Sequence, residues 1–152
     1  MNHHTYIHCG GDKALAVVRR KEIAESIGAV TVKPAPGAAS KIRDALLAAL
    51  KIRGWSEEVA VALGSDMTIT SMKGDVGLCL QTGNMARAYA DLMKLQTLYL
   101  NNAIKSAAII VPCYETARLL GSNIAQSKRL ERELEIFKKA YHVPTVIFAL
   151  ET

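Results

Sequence analysis

Gly77, Cys79 and Gln81 alternate with Val76, Leu78 and Leu80. On a strand the first three share one face and the apolar three share the other. The apolar set must face a core, which leaves Gly77, Cys79 and Gln81 on a small, polar face. A turn at Lys73-Gly74 lays the preceding strand against this one, with Thr70 opposite Gly77, Thr68 opposite Cys79 and Asp66 opposite Gln81, all on that polar face. The carboxylates of this region are Asp66 and Asp75, the latter sharing the parity of Cys79. Both also suit turns, Asp66 after Gly64-Ser65 and Asp75 beside Gly74.

Cys79 is a soft ligand suited to zinc or copper(I) rather than magnesium. No His or Cys partner lies at ligand spacing from it, so no zinc site is expected. Between Leu78 and Leu80 it is more simply a small packing residue. His8 and Cys9 are adjacent, and on a strand their side chains point apart; His142 precedes Val143-Pro144 at a helix end. Downstream of Gln81, Asn84, Arg87 and Lys94 have the chemistry for phosphate contact: a guanidinium and an ammonium pair with it and an amide donates to it. Arg87, Asp91 and Lys94 are equally spaced to form an ordinary solvated helix face.

The elements that must position these residues follow from periodicity and punctuation. Residues 14–27 form a helix stopped by Gly28, and 29–33 suit a short strand. Residues 40–53 form an amphipathic helix with apolar Ile42, Leu46, Leu47, Leu50 and Ile52, an N-cap at Ser40 and Gly54 beyond its end. A meander follows with strands at 59–63, 67–72 and 76–81. Then come a long helix over 85–100, a continuous apolar strand over 107–111, a charged amphipathic helix over 127–141 and a last apolar strand over 145–150. A strand, a long helix and an apolar strand make a right-handed parallel crossover. The fold class is α/β with a mixed sheet flanked by helices.

The chain has 152 residues, the size of a single domain (1–152) that buries a core without staples. Half of the residues are hydrophobic and 5% aromatic, so Ala, Val, Ile and Leu build that core. The formal charge of +5 suits a polyanionic partner. The cations are spread along the chain and mostly interleaved with acids. Cys9, Cys79 and Cys113 are odd in number and far apart, which points to a reducing, cytoplasmic setting. Residues 1–11 are too polar for a signal peptide, and the longest apolar run, 107–112, is too short to span a membrane.

Three segments in order carry a resemblance. They are Met72-Lys-Gly-Asp-Val-Gly-Leu-Cys-Leu-Gln-Thr-Gly-Asn84, Ala86-Arg-Ala-Tyr-Ala-Asp-Leu-Met-Lys-Leu-Gln-Thr-Leu-Tyr99 and Ala108-Ile-Ile-Val-Pro112. With Tyr6-Ile-His-Cys-Gly-Gly11 and Gly54-Trp-Ser56, they resemble the BglII and BamHI group of type II restriction endonucleases, within the PD-(D/E)xK superfamily. The resemblance implies a restriction-endonuclease-like αβββαβ core. In that group the third strand reads E-x-Q or E-x-E, with an Asp about nine residues before the Glu. Those positions are Thr70 and Cys79 here, with Gln81 retained.

Phosphodiester hydrolysis in this group needs Mg²⁺, which takes oxygen ligands that include carboxylates. Thr70 is at best one weak ligand and Cys79 is the wrong type. The resemblance therefore implies a catalytically inactive protein with no catalytic residues, metal or cofactor, retaining contact with double-stranded DNA through Asn84, Arg87 and Lys94. Little of the chain is left over for a base-reading subdomain, so sequence-specific reading requires a homodimer. Two alternatives stand beside this: a working Mg²⁺-dependent endonuclease in which Asp66, or Asp75, restores the metal site, and a protein-interaction module without DNA binding.

Overall fold

The computed structural model describes residues 1–152. Seven strands and six helices make up the fold. The first strand, β1 (Asn2–His8), is followed by a single helical turn, α1 (Gly11–Ala14), and by α2 (Val17–Gly28). The expected helix over 14–27 is thus broken near its start. Leu15 is extended and fully buried, and inserting its side chain into the core interrupts the helical backbone. Residues 29–33 form no strand. The next helix, α3 (Ala39–Ile52), begins one residue early, with Ala38 at its N-cap and no side-chain cap, so Ser40 does not cap it. Ile42, Leu46 and Leu50 are buried, whereas Ile52 lies off the stripe and is exposed.

The expected meander divides in two. β2 (Val59–Ala60) and β3 (Thr68–Ile69) pair only with each other, as a small separate sheet. β4 (Ser71–Lys73) and β5 (Val76–Leu80) form the hairpin of the main sheet. Thr70 marks the break: its Oγ1 accepts the Leu80 N–H at 2.9 Å, taking the place of a ladder carbonyl. The hairpin pairs Met72, not Thr70, with Gly77, because the turn is Gly74-Asp75, with Gly74 at φ 58°. The shift is two residues, so Thr70 keeps the parity of Gln81. The outer edge of β4 is covered by Ser56, whose N–H and Oγ bond Met72 and whose carbonyl accepts from the Ser71 hydroxyl.

α4 (Met85–Leu100) crosses from β5 to the parallel strand β6 (Ser106–Pro112), as the sequence requires. A short helix not foreseen, α5 (Tyr114–Leu120), is capped by the Cys113 thiol. α6 (Ser127–Ile136) ends five residues earlier than expected, and β7 (Thr145–Glu151) follows. The main sheet has the order β1-β7-β6-β5-β4. Its three central strands are parallel and its two edge strands antiparallel. β1 is polar and mostly exposed, and joins the sheet through backbone pairing with β7.

Both faces of the sheet are buried, and alternation sorts the side chains. Val76, Leu78, Leu80, Ala108, Ile110, Val146 and Phe148 meet α2, α3 and Trp55. Cys79, Ile109, Val111 and Ile147 meet α4 and α6. The face expected to be polar therefore carries a second core. Gly77 lies where a Cβ would come within 3.0 Å of Leu95 and 3.2 Å of Ile104, so its lack of a side chain lets α4 approach β5.

Candidate functional site

β5 ends at Leu80, and the chain then passes through Gln81-Thr82-Gly83 into α4. This is the carboxyl edge of a parallel strand, where open α/β sheets leave a crevice. A cleft of about 520 Å³ opens there. Its walls include Thr70 and Gln81 from the sheet, Arg43 from α3, Glu58 before β2, and Arg87, Asp91 and Lys94 from α4. The α4 residues lie four and three positions apart and so share one helical face.

The polar groups of the cleft are mutually braced. Gln81 donates through Nε2 to Asp91 Oδ2 at 3.1 Å and accepts the Gly83 N–H at 3.0 Å. Asp91 Oδ1 accepts from Lys94 Nζ at 3.2 Å. Arg43 Nη1 donates to the Leu80 carbonyl at 2.6 Å, and its Nη2 lies 4.0 Å from Glu58. Burial raises the Asp91 carboxyl above its ordinary pKa, against the opposing pull of Lys94, Gln81 and Arg43. Arg87 is exposed and makes no ion pair.

Thr70 and Gln81 are therefore brought together, as their parity requires. Cys79 is not part of the cleft wall. It is wholly buried in the α4 core, and that burial pushes its thiol far above its ordinary pKa. Asp66 is exposed in the turn between β2 and β3 and does not line the cleft, so the structure does not place it beside Gln81. Asp75 sits six residues from Gln81, at the opposite end of β5, ~20 Å away at the rise of a strand.

Of the three expected phosphate contacts, Arg87 and Lys94 line the cleft, whereas Asn84 does not. Asn84 is the N-cap of α4, and its Oδ1 accepts the Ala86 N–H at 2.8 Å. Arg87, Asp91 and Lys94 do not form one continuous ion ladder, because the pairing is between Asp91 and Lys94 alone.

Arg43 and Glu58 did not stand out as site residues in the sequence. Arg43 is one of many dispersed cations, and Glu58 precedes an expected strand with no spacing to mark it. The His8–Cys9 pair also differs from expectation. Cys9 adopts φ 48°, which turns its Sγ back to 3.3 Å from His8 Nε2, while that nitrogen also meets the Tyr141 carbonyl at 2.8 Å.

Two solved structures share this fold over the full length of the chain. A crystal structure of restriction endonuclease BglII complexed with a DNA 16-mer superposes with a TM-score of 0.86 at 16% identity, covering 100% of this chain and 79% of that one. A crystal structure of free BglII gives 0.70 at 18% identity, covering 100% and 80%. A search of curated proteins gives no match. The family model "Restriction endonuclease BglII/BglIII" matches residues 3–150, and with nearly the whole chain inside that match, the chain belongs to the BglII/BglIII restriction endonuclease family.

Proposed function

We propose that this protein is a restriction-endonuclease-like protein that binds double-stranded DNA as a homodimer without hydrolysing it. One observation carries the reading. The positions that resemble the family's Asp and Glu hold Thr70, a neutral hydroxyl that accepts the Leu80 N–H, and Cys79, which is sealed in the core. DNA is the partner named for the similar BglII complex. The net charge of +5 and the cations Arg43, Arg87 and Lys94 around the cleft suit such a partner.

Mg²⁺ does not match the donors present. It demands near-octahedral oxygen coordination, anchored by carboxylates that can turn toward it. No three His, Cys, Asp or Glu side chains cluster anywhere in the fold. Both Asp91 oxygens are already engaged, by Lys94 and Gln81. Glu58 has a side chain 63% exposed and accepts from the Thr68 hydroxyl. A nuclease with a relocated carboxylate would have to strip Asp91 from both partners, and Asp66 offers no alternative from its exposed turn.

The homodimer draws support from an apolar groove between α4 and residues 137–141, where Met93 and Phe137 are exposed large side chains. No helix is long and apolar enough to cross a membrane. The three free thiols suit the reducing cytoplasm.

Incubation of pure protein with supercoiled plasmid and Mg²⁺ or Mn²⁺ is expected to leave the plasmid intact; sustained cutting overturns the reading. A duplex shift assay is expected to show binding that weakens as salt rises, the mark of phosphate contact. Absence of binding at low salt favours the interaction module instead.

A further inference from the structure

We infer that the cleft beside Gln81 is a seat for a phosphodiester group that works without a divalent cation, its charge neutralised by Lys94 and Arg43. The inference deepens the DNA-binding reading, on which its biological sense rests, by naming the group that enters the site and how it is held.

The sign of the cleft is the starting point. Its wall carries three cations, Arg43, Arg87 and Lys94, against two carboxylates, Glu58 and Asp91. A carboxylate at position 70 would set three carboxylates against the three cations and cancel that excess. Thr70 contributes no charge, and Cys79 is buried as a neutral thiol away from the wall. The uncharged Thr70 therefore leaves the wall with an excess of cations.

The cations are also placed to act. Arg43 is held by the Leu80 carbonyl at 2.6 Å through one nitrogen, which fixes its guanidinium and leaves other N–H groups free. Its contact with Glu58 is long, at 4.0 Å. The Lys94 ammonium has three donors and uses one on Asp91. Arg87 has no ion-pair partner at the mouth of the cleft. Gln81 cannot turn away, because Asp91 and the Gly83 N–H hold both ends of its amide. Preorganised donors of this kind bind an anion without paying to order themselves.

Two measurements in EDTA test this, with Mg²⁺ as a comparison for the second. The first is a titration of inorganic phosphate followed by NMR at the backbone amides of Thr82, Gly83 and Arg87. Saturable shifts that vanish in Lys94→Gln are expected. The second is duplex affinity of wild type, Lys94→Gln, Thr70→Asp and the remote control Lys139→Gln. Wild type is expected to bind at least as tightly in EDTA as in Mg²⁺ at matched ionic strength. Lys94→Gln should weaken binding by about fivefold and flatten the salt slope by about one charge, whereas Lys139→Gln should do neither. Thr70→Asp should weaken binding by at least about tenfold in EDTA, because it returns a like charge to the cleft. Trp55 fluorescence melts of each variant verify that it is folded.

If the duplex binds in EDTA but phosphate leaves the cleft amides unmoved and neither cleft variant changes affinity, the seat is overturned and the DNA reading stands. If phosphate fills the cleft but no duplex binds, the DNA reading falls and the seat stands. A wild-type affinity that EDTA abolishes overturns the metal-free seat.

Discussion

Glu22 shows how single residues hold this fold together. Burial acts to raise its carboxyl pKa, but hydrogen bonding and charge from Lys73, with Arg19 and the Trp55 indole, outweigh burial and leave it below its ordinary value of 4.5. Lys73 lies 2.8 Å from it and also donates to the Arg53 carbonyl, so one ammonium joins α2, the end of α3 and β4. A carboxyl lowered by folding contributes stability above its unfolded pKa, and that stability is lost as pH falls through the folded value. Thermal melts are therefore expected to show wild type losing stability from about pH 4.5 downward more steeply than Glu22→Gln, which starts less stable at neutral pH. Thr70 gives a second prediction. Thr70→Val deletes the acceptor of the buried Leu80 N–H and should cost about 1–3 kcal/mol in urea denaturation, the penalty for a buried donor left unpaired. A cost near zero would mean that Thr70 is not what ends the ladder.

At the scale of elements, close approach decides where side chains are forbidden. Gly11 begins α1 against β7, and a Cβ there would lie 2.2 Å from the Thr145 carbonyl oxygen, a backbone atom that cannot step aside. Gly28 ends α2 with open space around it and a negative φ. Gly11→Ala is expected to destabilise by more than about 3 kcal/mol or to prevent folding, as overpacking against a fixed backbone does. Gly28→Ala should stabilise by about 0.5 kcal/mol by restricting the unfolded chain. Urea midpoints of the two variants check both signs. The carboxyl edge of β5 shows the same logic working for function. Gly77 lets α4 lie close to the sheet, and that closeness brings Asp91 within hydrogen-bond reach of Gln81.

For the whole molecule, we propose a single cooperative unit over residues 1–152, since the main sheet carries a core on each face. Trp55 reports on the α2/α3 side and the Cys79 thiol on the α4/α6 side. Trp55 fluorescence and Cys79 labelling, the latter read by peptide mass spectrometry, are expected to follow one urea transition. Two separated midpoints would instead divide the chain into independently folding halves.

The residues themselves determined the parallel crossover of β5, α4 and β6, the last strand β7 and the stripe of Ile42, Leu46 and Leu50, because each is written in a periodicity confined to a short stretch of chain. The alternation of Val76, Leu78 and Leu80 likewise showed which side of β5 faces apolar partners, and the ordered segments 72–84, 86–99 and 108–112 carried the family resemblance. Periodicity records that a face is buried, not what buries it. Gly77 and Cys79 are small because α4 packs on them, so a second core looked from the sequence like an open polar face. β1 was hidden for the opposite reason: its side chains are exposed, and it is a strand only because the backbone of β7 pairs with it. The break at Thr70 depends on one side-chain hydroxyl reaching Leu80, which moved the expected meander apart and left Asp66 in an outer turn. The cleft was least legible of all. Arg43, Glu58, Gln81 and Asp91 come from four separate segments, and only the packing of α3 and α4 against opposite faces of the sheet brings their charges to one place.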